Sequence, residues 1–220
     1  ETDGLLEDLT RIHCLVVYHI EEDRMFSFTG EEIVDGLFYL KNFDTIIGHN
    51  IISFDLPVLK AFPHYKWEPE PTQKIRDTLV WSRLIYPDRA KRDFNNQAID
   101  KDQYGRHSLK SWGQRLDFNK GDFTNFEELS EEMVEYCEND VELNYKLYCK
   151  LLDAKFPEDS IQLEHDIHTI CLQQTKNGFP FDVEGASKLY AKLAEKRDRL
   201  QTELKKVFGS WIVDEGSRKN

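Results

Sequence analysis

Apolar side chains recur every three or four positions through much of this chain, and that spacing predicts amphipathic helices. The predicted helices cover residues 31–40, 56–62, 78–86, 109–116, 130–152, 160–177 and 182–209. Ser130, Ser160 and Asp182 are predicted N-caps, because a short side-chain oxygen can accept a backbone N–H where a helix begins. The Asn177-Gly178 pair and Gly209 predict helix ends.

Shorter β-branched or alternating runs predict strands near the start of the chain. Residues 12–18 and 25–28, with a turn at Asp23, predict antiparallel strands, and residues 45–47 predict a short buried strand that ends at Gly48. Strands followed by helices predict an α/β layer fold for residues 1–155. A mainly helical extension is predicted for residues 156–220, with one apolar stripe on each helix.

The charge of the chain bears on its partners. Its 220 residues carry a net charge of −12, whereas nucleic-acid-binding proteins usually contact phosphates through Lys and Arg. Either the protein does not bind nucleic acid, or metal ions restore positive charge locally among its carboxylates. Residues 89–110, interpreted as a loop, carry six basic residues and three acids. This loop is either a contact for a nucleic-acid backbone or an ordinary solvated loop.

Composition excludes some classes of protein and leaves several side chains with ordinary structural roles. No apolar run approaches the ~18 residues of a membrane span, and no signal peptide is visible. The four cysteines match no zinc spacing and are predicted to be buried free thiols in a reducing compartment. His49 and His107 are predicted to be hydrogen-bonded structural residues. Core or domain contacts are predicted for Trp67, Trp81, Trp112 and Trp211.

Three segments combine carboxylates with groups that a metal site needs. Glu1 opens the first segment, Asp55 lies where a strand gives way to a helix, and Tyr136 and Asp140 lie four positions apart in a predicted helix. Residues at that spacing share one helix face. Each segment alone has an ordinary explanation: solvation for Glu1, helix capping for Asp55, and packing for the Tyr–Asp pair.

Together, the three segments suit the hydrolysis of a phosphodiester. That reaction needs charge stabilisation on two oxygens and a deprotonated water, which two divalent ions about 3.5–4 Å apart can supply. Mg²⁺ prefers hard oxygen ligands, so clustered Asp and Glu are suitable. A phenol beside the attacking water can orient it, which gives Tyr136 a candidate role.

The ordered motifs Glu1-Thr2-x-Gly4-Leu5, Asn50-x-x-x-Phe54-Asp55 and Tyr136-x-x-x-Asp140 resemble those of DnaQ-like proofreading exonucleases, DEDDy subgroup. Other stretches resemble T-seven-like bacteriophage family A DNA polymerases more specifically. They are 77–79 (DTL), 82–85 (SRLI), 107–109 (HSL), 112–116 (WGQRL), 177–182 (NGFPFD) and 208–211 (FGSW). The likeness spans nearly the whole chain, and its specificity lies in the ordered combination.

The resemblance implies a ribonuclease-H-like mixed sheet flanked by helices, which forms a 3′→5′ exonuclease domain over residues 1–155. It implies two Mg²⁺ or Mn²⁺ ions held by Glu1, Asp55 and Asp140, and a water oriented by Tyr136. Thr2 and Leu5 would contact the terminal nucleotide, and Asn50 and Phe54 would hold the frayed strand.

The resemblance also implies partners and a location. The substrate would be a single-stranded DNA 3′ end, and residues 156–220 would connect to a polymerase domain of the same parent chain. A processivity factor, where one exists, would dock on that polymerase part. The protein would act in the cytoplasm of the infected host cell, with no membrane partner.

One departure from the family motif leaves alternatives open. The family carries an Asp two residues before its first Glu, and this chain starts at Glu1. Two other interpretations therefore remain. The chain is a free-standing DNA or RNA exonuclease of the same superfamily, or it is an inactive scaffold that packs on a polymerase or another protein.

Overall fold

The computed structural model describes residue 9, residues 11–62, 64–97, 99–118, residue 121 and residues 123–209. The chain divides into two compact units, Glu1–Lys176 and Asn177–Asn220. The first unit is a mixed α/β structure, and the described part of the second consists mainly of one long helix.

The first sheet is an antiparallel pair, as predicted. Strand β1 (Cys14–His19) pairs with β2 (Arg24–Thr29), and Val16 lies opposite Ser27. The turn between them contains Asp23 with a φ of 51°, a left-handed conformation that Asp tolerates better than most residues.

The second sheet is a parallel pair that positions the candidate site. Strand β3 (Thr45–Gly48) pairs with β4 (Lys74–Asp77), so Gly48 and Asp77 lie side by side where the two strands end. The sequence predicted β3, as a short buried strand, but not β4. Within the described residues the strands form these two small sheets, and the single ribonuclease-H-like sheet stays an expectation.

Eight α-helices account for most of the described chain. The first five are α1 (Ile33–Leu40), α2 (Asp55–Ala61), α3 (Thr78–Ile85), α4 (Arg89–Asn96) and α5 (Leu109–Arg115). They are followed by α6 (Glu131–Asp153), α7 (Glu158–Asn177) and α8 (Val183–Phe208). The predicted caps Ser130 and Asp182 are confirmed, since their side chains accept the N–H groups of Met133 and Gly185.

Two predictions about helices were wrong. Ser160 does not cap α7, because that helix already begins at Glu158, two residues earlier. Residues 89–110 are not a loop, because they contain α4 and a 3₁₀ turn at Lys101–Gln103.

The buried Asp93 of α4 accepts hydrogen bonds from Arg115 at 3.2 and 2.7 Å, and from the N–H of Gly105 at 3.0 Å.

The arginine side chains that pair with Asp93 also lie near an aromatic ring. The guanidinium groups of Arg89 and Arg115 both lie near the ring of Trp112, at 5.1 and 4.9 Å from its centre. A cation over the face of an aromatic ring is attracted to its π-electrons. The side chains of Arg89, from the basic stretch 89–110, and of Arg115, from α5, are thus largely buried in the fold.

Two apolar clusters form the core of the first unit. One lies around α1, β3 and α2 and includes Ile33, Ile46 and Trp67, and the other joins α3, α5, α6 and α7 through residues such as Trp81 and Leu147. The predicted burial of Trp67, Trp81 and Trp112 is confirmed. Trp211 lies outside the described residues.

The cysteine prediction holds for chemistry but not for burial. All four cysteines are free thiols. None of them is fully buried, because Cys14, Cys137 and Cys149 are half-buried and Cys171 is exposed. Their positions on amphipathic elements, at the edge of the core, explain this difference.

Candidate functional site

The connection between β3 and α2 holds three of the predicted site residues. Asn50 has a φ of 62°, and its carbonyl accepts the N–H groups of Ser53 and Phe54 at 3.2 and 3.0 Å. This tight turn brings the chain into α2, whose first residue is Asp55. Asn50 and Phe54 are half-buried, and Asp55 is exposed. A carboxylate in the first turn of a helix is stabilised by the helix dipole.

The turn packs closely where Gly48 lies against the side chain of Ile51. A Cβ atom on Gly48 would lie 2.6 Å from the Cβ of Ile51, which is closer than van der Waals contact allows. Ile51 and Ile52 are both buried in the first core cluster. These two core residues anchor the turn that carries Asn50, Phe54 and Asp55.

The fully buried carboxylate of Asp77 holds the connection in place. It accepts the N–H groups of Asn50 at 2.9 Å and Ile52 at 3.2 Å. The same carboxylate caps α3 by accepting the N–H groups of Leu79 and Val80 at 2.9 and 3.4 Å. Hydrogen bonds from N–H groups to an ionised oxygen are stronger than neutral ones. One side chain thus joins the β3–α2 connection to the start of α3.

Helix α7 supports the same region with two histidines. The Nε2 atom of His165 accepts the backbone N–H of Asp77 at 2.8 Å, and its Nδ1 atom lies 2.7 Å from the carbonyl of Ile161. Since a backbone N–H can only donate, the ring is neutral with its proton on Nδ1. Burial lowers the pKa of His165, in keeping with that state. His168 Nε2 lies 2.8 Å from the hydroxyl of Ser53.

A face of α6 carries the other predicted site residues. Tyr136 and Asp140 lie one helical turn apart, and Asn144 follows after another turn on the same face. Asn144 accepts the hydroxyl of Thr78 at 2.7 Å, and that hydroxyl lies 2.9 Å from Nδ1 of His49. His49 directly precedes Asn50. The polar face of α6 is therefore linked through Thr78 to the connection that carries Asp55.

The structural roles predicted for two histidines are confirmed. His49 contacts Thr78 as described, and His107 Nδ1 lies 2.9 Å from the hydroxyl of Ser82. Burial, followed by the nearby charges of Arg115, Arg83 and Arg89, lowers the pKa of His107 to about 4. The ring is therefore neutral near pH 7.

The remaining predicted site residues cannot be placed from the described part of the chain. Glu1, Thr2 and Leu5 lie outside it. Within that part, no three His, Cys, Asp or Glu side chains are grouped so that they could hold a metal ion. Asp55 and Asp140 nonetheless offer the carboxylate oxygens that Mg²⁺ and Mn²⁺ accept, so these two residues fit such an ion in donor type. A third carboxylate would come from Glu1.

Sequence reasoning missed several residues that shape this region. Asp77 was noticed only within a resemblance motif, although an Asp directly before an apolar helical run is itself an N-cap signal. His165, His168 and Asn144 gave no separate signal, because each lies in an ordinary amphipathic helix. Their roles depend on which elements pack together.

Comparison with known proteins adds independent information. The chain is similar to phage DNA polymerases along almost its whole length. It is 28% identical over 263 aligned positions to the DNA-directed DNA polymerase of Enterobacteria phage T3, with 98% of the chain covered. The figures for the DNA-directed DNA polymerase of Escherichia phage T7 are the same. The chain spans 37% of the length of each of these curated relatives.

No family model matches the chain. Among the described residues, no helix combines the length and the apolar character that crossing a membrane requires.

Proposed function

We propose that this chain is the 3′→5′ exonuclease domain of a phage-type family A DNA polymerase, which removes nucleotides from a single-stranded or frayed DNA 3′ end. The observation that carries the proposal is the hydrogen-bonded linkage of Asn144, Thr78 and His49. It connects the α6 face of Tyr136 and Asp140 to the β3–α2 connection of Asp55. The similarity to DNA-directed DNA polymerases supports the same function.

Each predicted site residue has a distinct role in the proposed reaction. Glu1, Asp55 and Asp140 would hold two Mg²⁺ or Mn²⁺ ions, which when bound stabilise charge on the phosphate and acidify a water. The Tyr136 hydroxyl orients the attacking water toward the last phosphorus atom. Asn50 and Phe54 hold the strand, and Thr2 and Leu5 contact the terminal nucleotide. Hydrolysis releases a nucleoside monophosphate and leaves a shortened 3′ hydroxyl end.

The acidic charge of the chain is compatible with this assignment. At a net charge of −12, long-range attraction to DNA is absent, so the strand end would be delivered by an attached polymerase domain. In this proposal residues 1–155 form the nuclease, and residues 156–220 connect it to that polymerase domain. The protein would work in the cytoplasm of the infected host cell.

Nuclease assays with single substitutions test the proposal. Asp140→Ala and Asp55→Asn are each expected to lower the rate of 3′ trimming by about 100-fold or more, because removing one stabilising group from such a site costs that much. The measurement uses 5′-labelled single-stranded DNA with Mg²⁺, and an RNA of matched sequence. The control is Asp153→Asn, an exposed acid at the far end of α6.

Each alternative has a distinct outcome. Faster trimming of the RNA would favour a free-standing ribonuclease. Full activity in Asp140→Ala would refute the proposed site. A calorimetric titration with Mn²⁺ supplies a second readout, since a protein that neither binds Mn²⁺ nor trims either substrate would be better explained as a scaffold.

A further inference from the structure

Three aromatic rings pack together at the start of α6. Phe123 and Tyr136 have ring centres 5.6 Å apart and planes inclined by 31°, so the two rings are nearly stacked. Phe126 meets Tyr136 edge-on, at 6.3 Å and 72°, and meets Phe123 at 5.1 Å and 81°. We call Phe123 and Phe126 the aromatic clasp. One of its rings is tilted by 31° to the Tyr136 ring and the other is inclined to it by 72°.

The clasp is itself anchored to a distant part of the chain. Arg11 donates a hydrogen bond to the carbonyl of Glu127, next to Phe126. Arg11 lies three residues before β1. The Ser130 cap fixes the start of α6 three residues after Glu127. The clasp is thus tied on one side to the chain before β1 and on the other to α6.

Such packing limits how the phenol can move. A tyrosine side chain on a helix has two rotatable bonds and few allowed χ1 values. Two neighbouring rings at different inclinations restrict the rotation of the Tyr136 ring, so together they favour one hydroxyl position.

We propose that Phe123 and Phe126 are positioning residues that hold the Tyr136 hydroxyl where it orients the attacking water. This inference rests on the proposed function, because it assigns to the clasp an effect on catalysis that acts through Tyr136. Neither phenylalanine touches the reacting atoms in this scheme. A competing role, a stacking platform for the terminal base, would act on substrate binding instead.

A double-mutant cycle separates these roles. Phe126→Leu is expected to lower kcat for 3′ trimming about tenfold, because small misplacements of a catalytic group reduce rates by up to about 100-fold. KM should change by less than about twofold. In a Tyr136→Phe background the same change should lower kcat by less than about twofold, since the group that it positions is already gone.

Two further measurements make the test specific. Phe43→Leu is a matched control, because Phe43 also packs edge-on against a tyrosine, Tyr39, at 5.0 Å. In protein labelled with 3-fluorotyrosine, the ¹⁹F signal of Tyr136, assigned with Tyr136→Phe, should shift in Phe126→Leu and stay in place in Phe43→Leu. If Phe126→Leu does not fold, Phe123→Leu is tested in the same way.

Several outcomes would overturn the inference. An equal loss of kcat in both backgrounds would show that the clasp does not act through Tyr136. A rise in KM with unchanged kcat would identify a base platform, and an unchanged kcat in the single variant would remove any role in catalysis. If Tyr136→Phe alone keeps full activity, the proposed role of Tyr136 fails as well, and that result is obtained without any clasp variant.

Discussion

At the scale of single residues, buried ionisable groups are held by specific partners in this protein. Asp77 accepts four backbone N–H groups, and Asp93 lies between Arg115 and Arg89. His107 and His165 are kept neutral by burial. Burying an ionised group without partners costs several kcal/mol, so each carboxylate needs its donors and each histidine loses its charge.

The neutral histidines predict a loss of stability in acid. Because the pKa of His107 is about 4 in the folded protein and about 6.5 in an unfolded chain, the unfolded chain binds more protons between these values. The free energy of unfolding should therefore fall as the pH drops from about 6.5 to about 4. His165 acts in the same direction.

Urea denaturation of the wild type and His107→Asn at several pH values measures this contribution. The wild type is expected to lose about 2 kcal/mol more than the variant over that pH range, after allowance for the partial solvent exposure of the ring. Carboxylates titrate equally in both proteins and cancel from the difference. Parallel pH curves for the two proteins would contradict the assignment.

At the scale of elements, two N-cap residues differ in how many elements they stabilise. Ser130 accepts one N–H, that of Met133 at 3.2 Å, and stabilises α6 alone. Asp77 caps α3 and also binds the β3–α2 connection. The hydrogen bonds that Asp77 accepts from this connection join elements that are far apart in sequence. Their loss would therefore affect the positions of Asn50 and Asp55 as well as the stability of α3.

Alanine at each cap should separate these two effects. Ser130→Ala is expected to lower the free energy of unfolding by about 1 kcal/mol, which is typical of an N-cap. Asp77→Ala should lower it by about 3 kcal/mol or more, because it leaves several buried N–H groups without their acceptor. Equal losses in urea denaturation would show that Asp77 acts only as a cap.

At the scale of the whole molecule, the chain divides into two compact units, and the boundary lies between residues 176 and 177. Between α7 and α8 the backbone is neither helix nor strand, and its aromatic side chains are exposed, Phe179 by 85% and Phe181 by 69%. Exposed segments outside helices and strands are the preferred sites of proteolysis. Gly178, with a φ of 61°, ends α7 and begins this segment.

Limited digestion with chymotrypsin should cut first after Phe181. The bond after Phe179 precedes Pro180 and is a poor site for this protease, and the aromatic residues of α8 are protected by helical hydrogen bonds. Mass spectrometry of early fragments identifies the cut. Phe181→Ser is expected to delay cleavage, and a first cut within α6 or α7 would contradict the division into two units.

Local patterns in the sequence determined much of the secondary structure, because helix periodicity and caps are short-range effects. Helices α6 and α8 could be located from Ser130, Asp182, Gly209 and the apolar stripes between them. Helix α4 could not, since its eight residues are mostly charged or amide-bearing. It is held by Asp93 and its partners on α5. Strand β4 was also missed, because its only apolar residue is Ile75 and pairing with β3 defines it.

The sequence alone determined which carboxylates are candidate metal ligands and which tyrosine is the candidate for orienting the attacking water, since residue type and order can be read without coordinates. Only the tertiary structure decided what surrounds them. The hydrogen bonds from the β3–α2 connection to Asp77 and from Thr78 to Asn144 join distant parts of the chain. Phe123 and Phe126 pack on Tyr136 from the segment that precedes α6. Such contacts depend on how whole elements pack, and no local pattern in a single sequence encodes that packing.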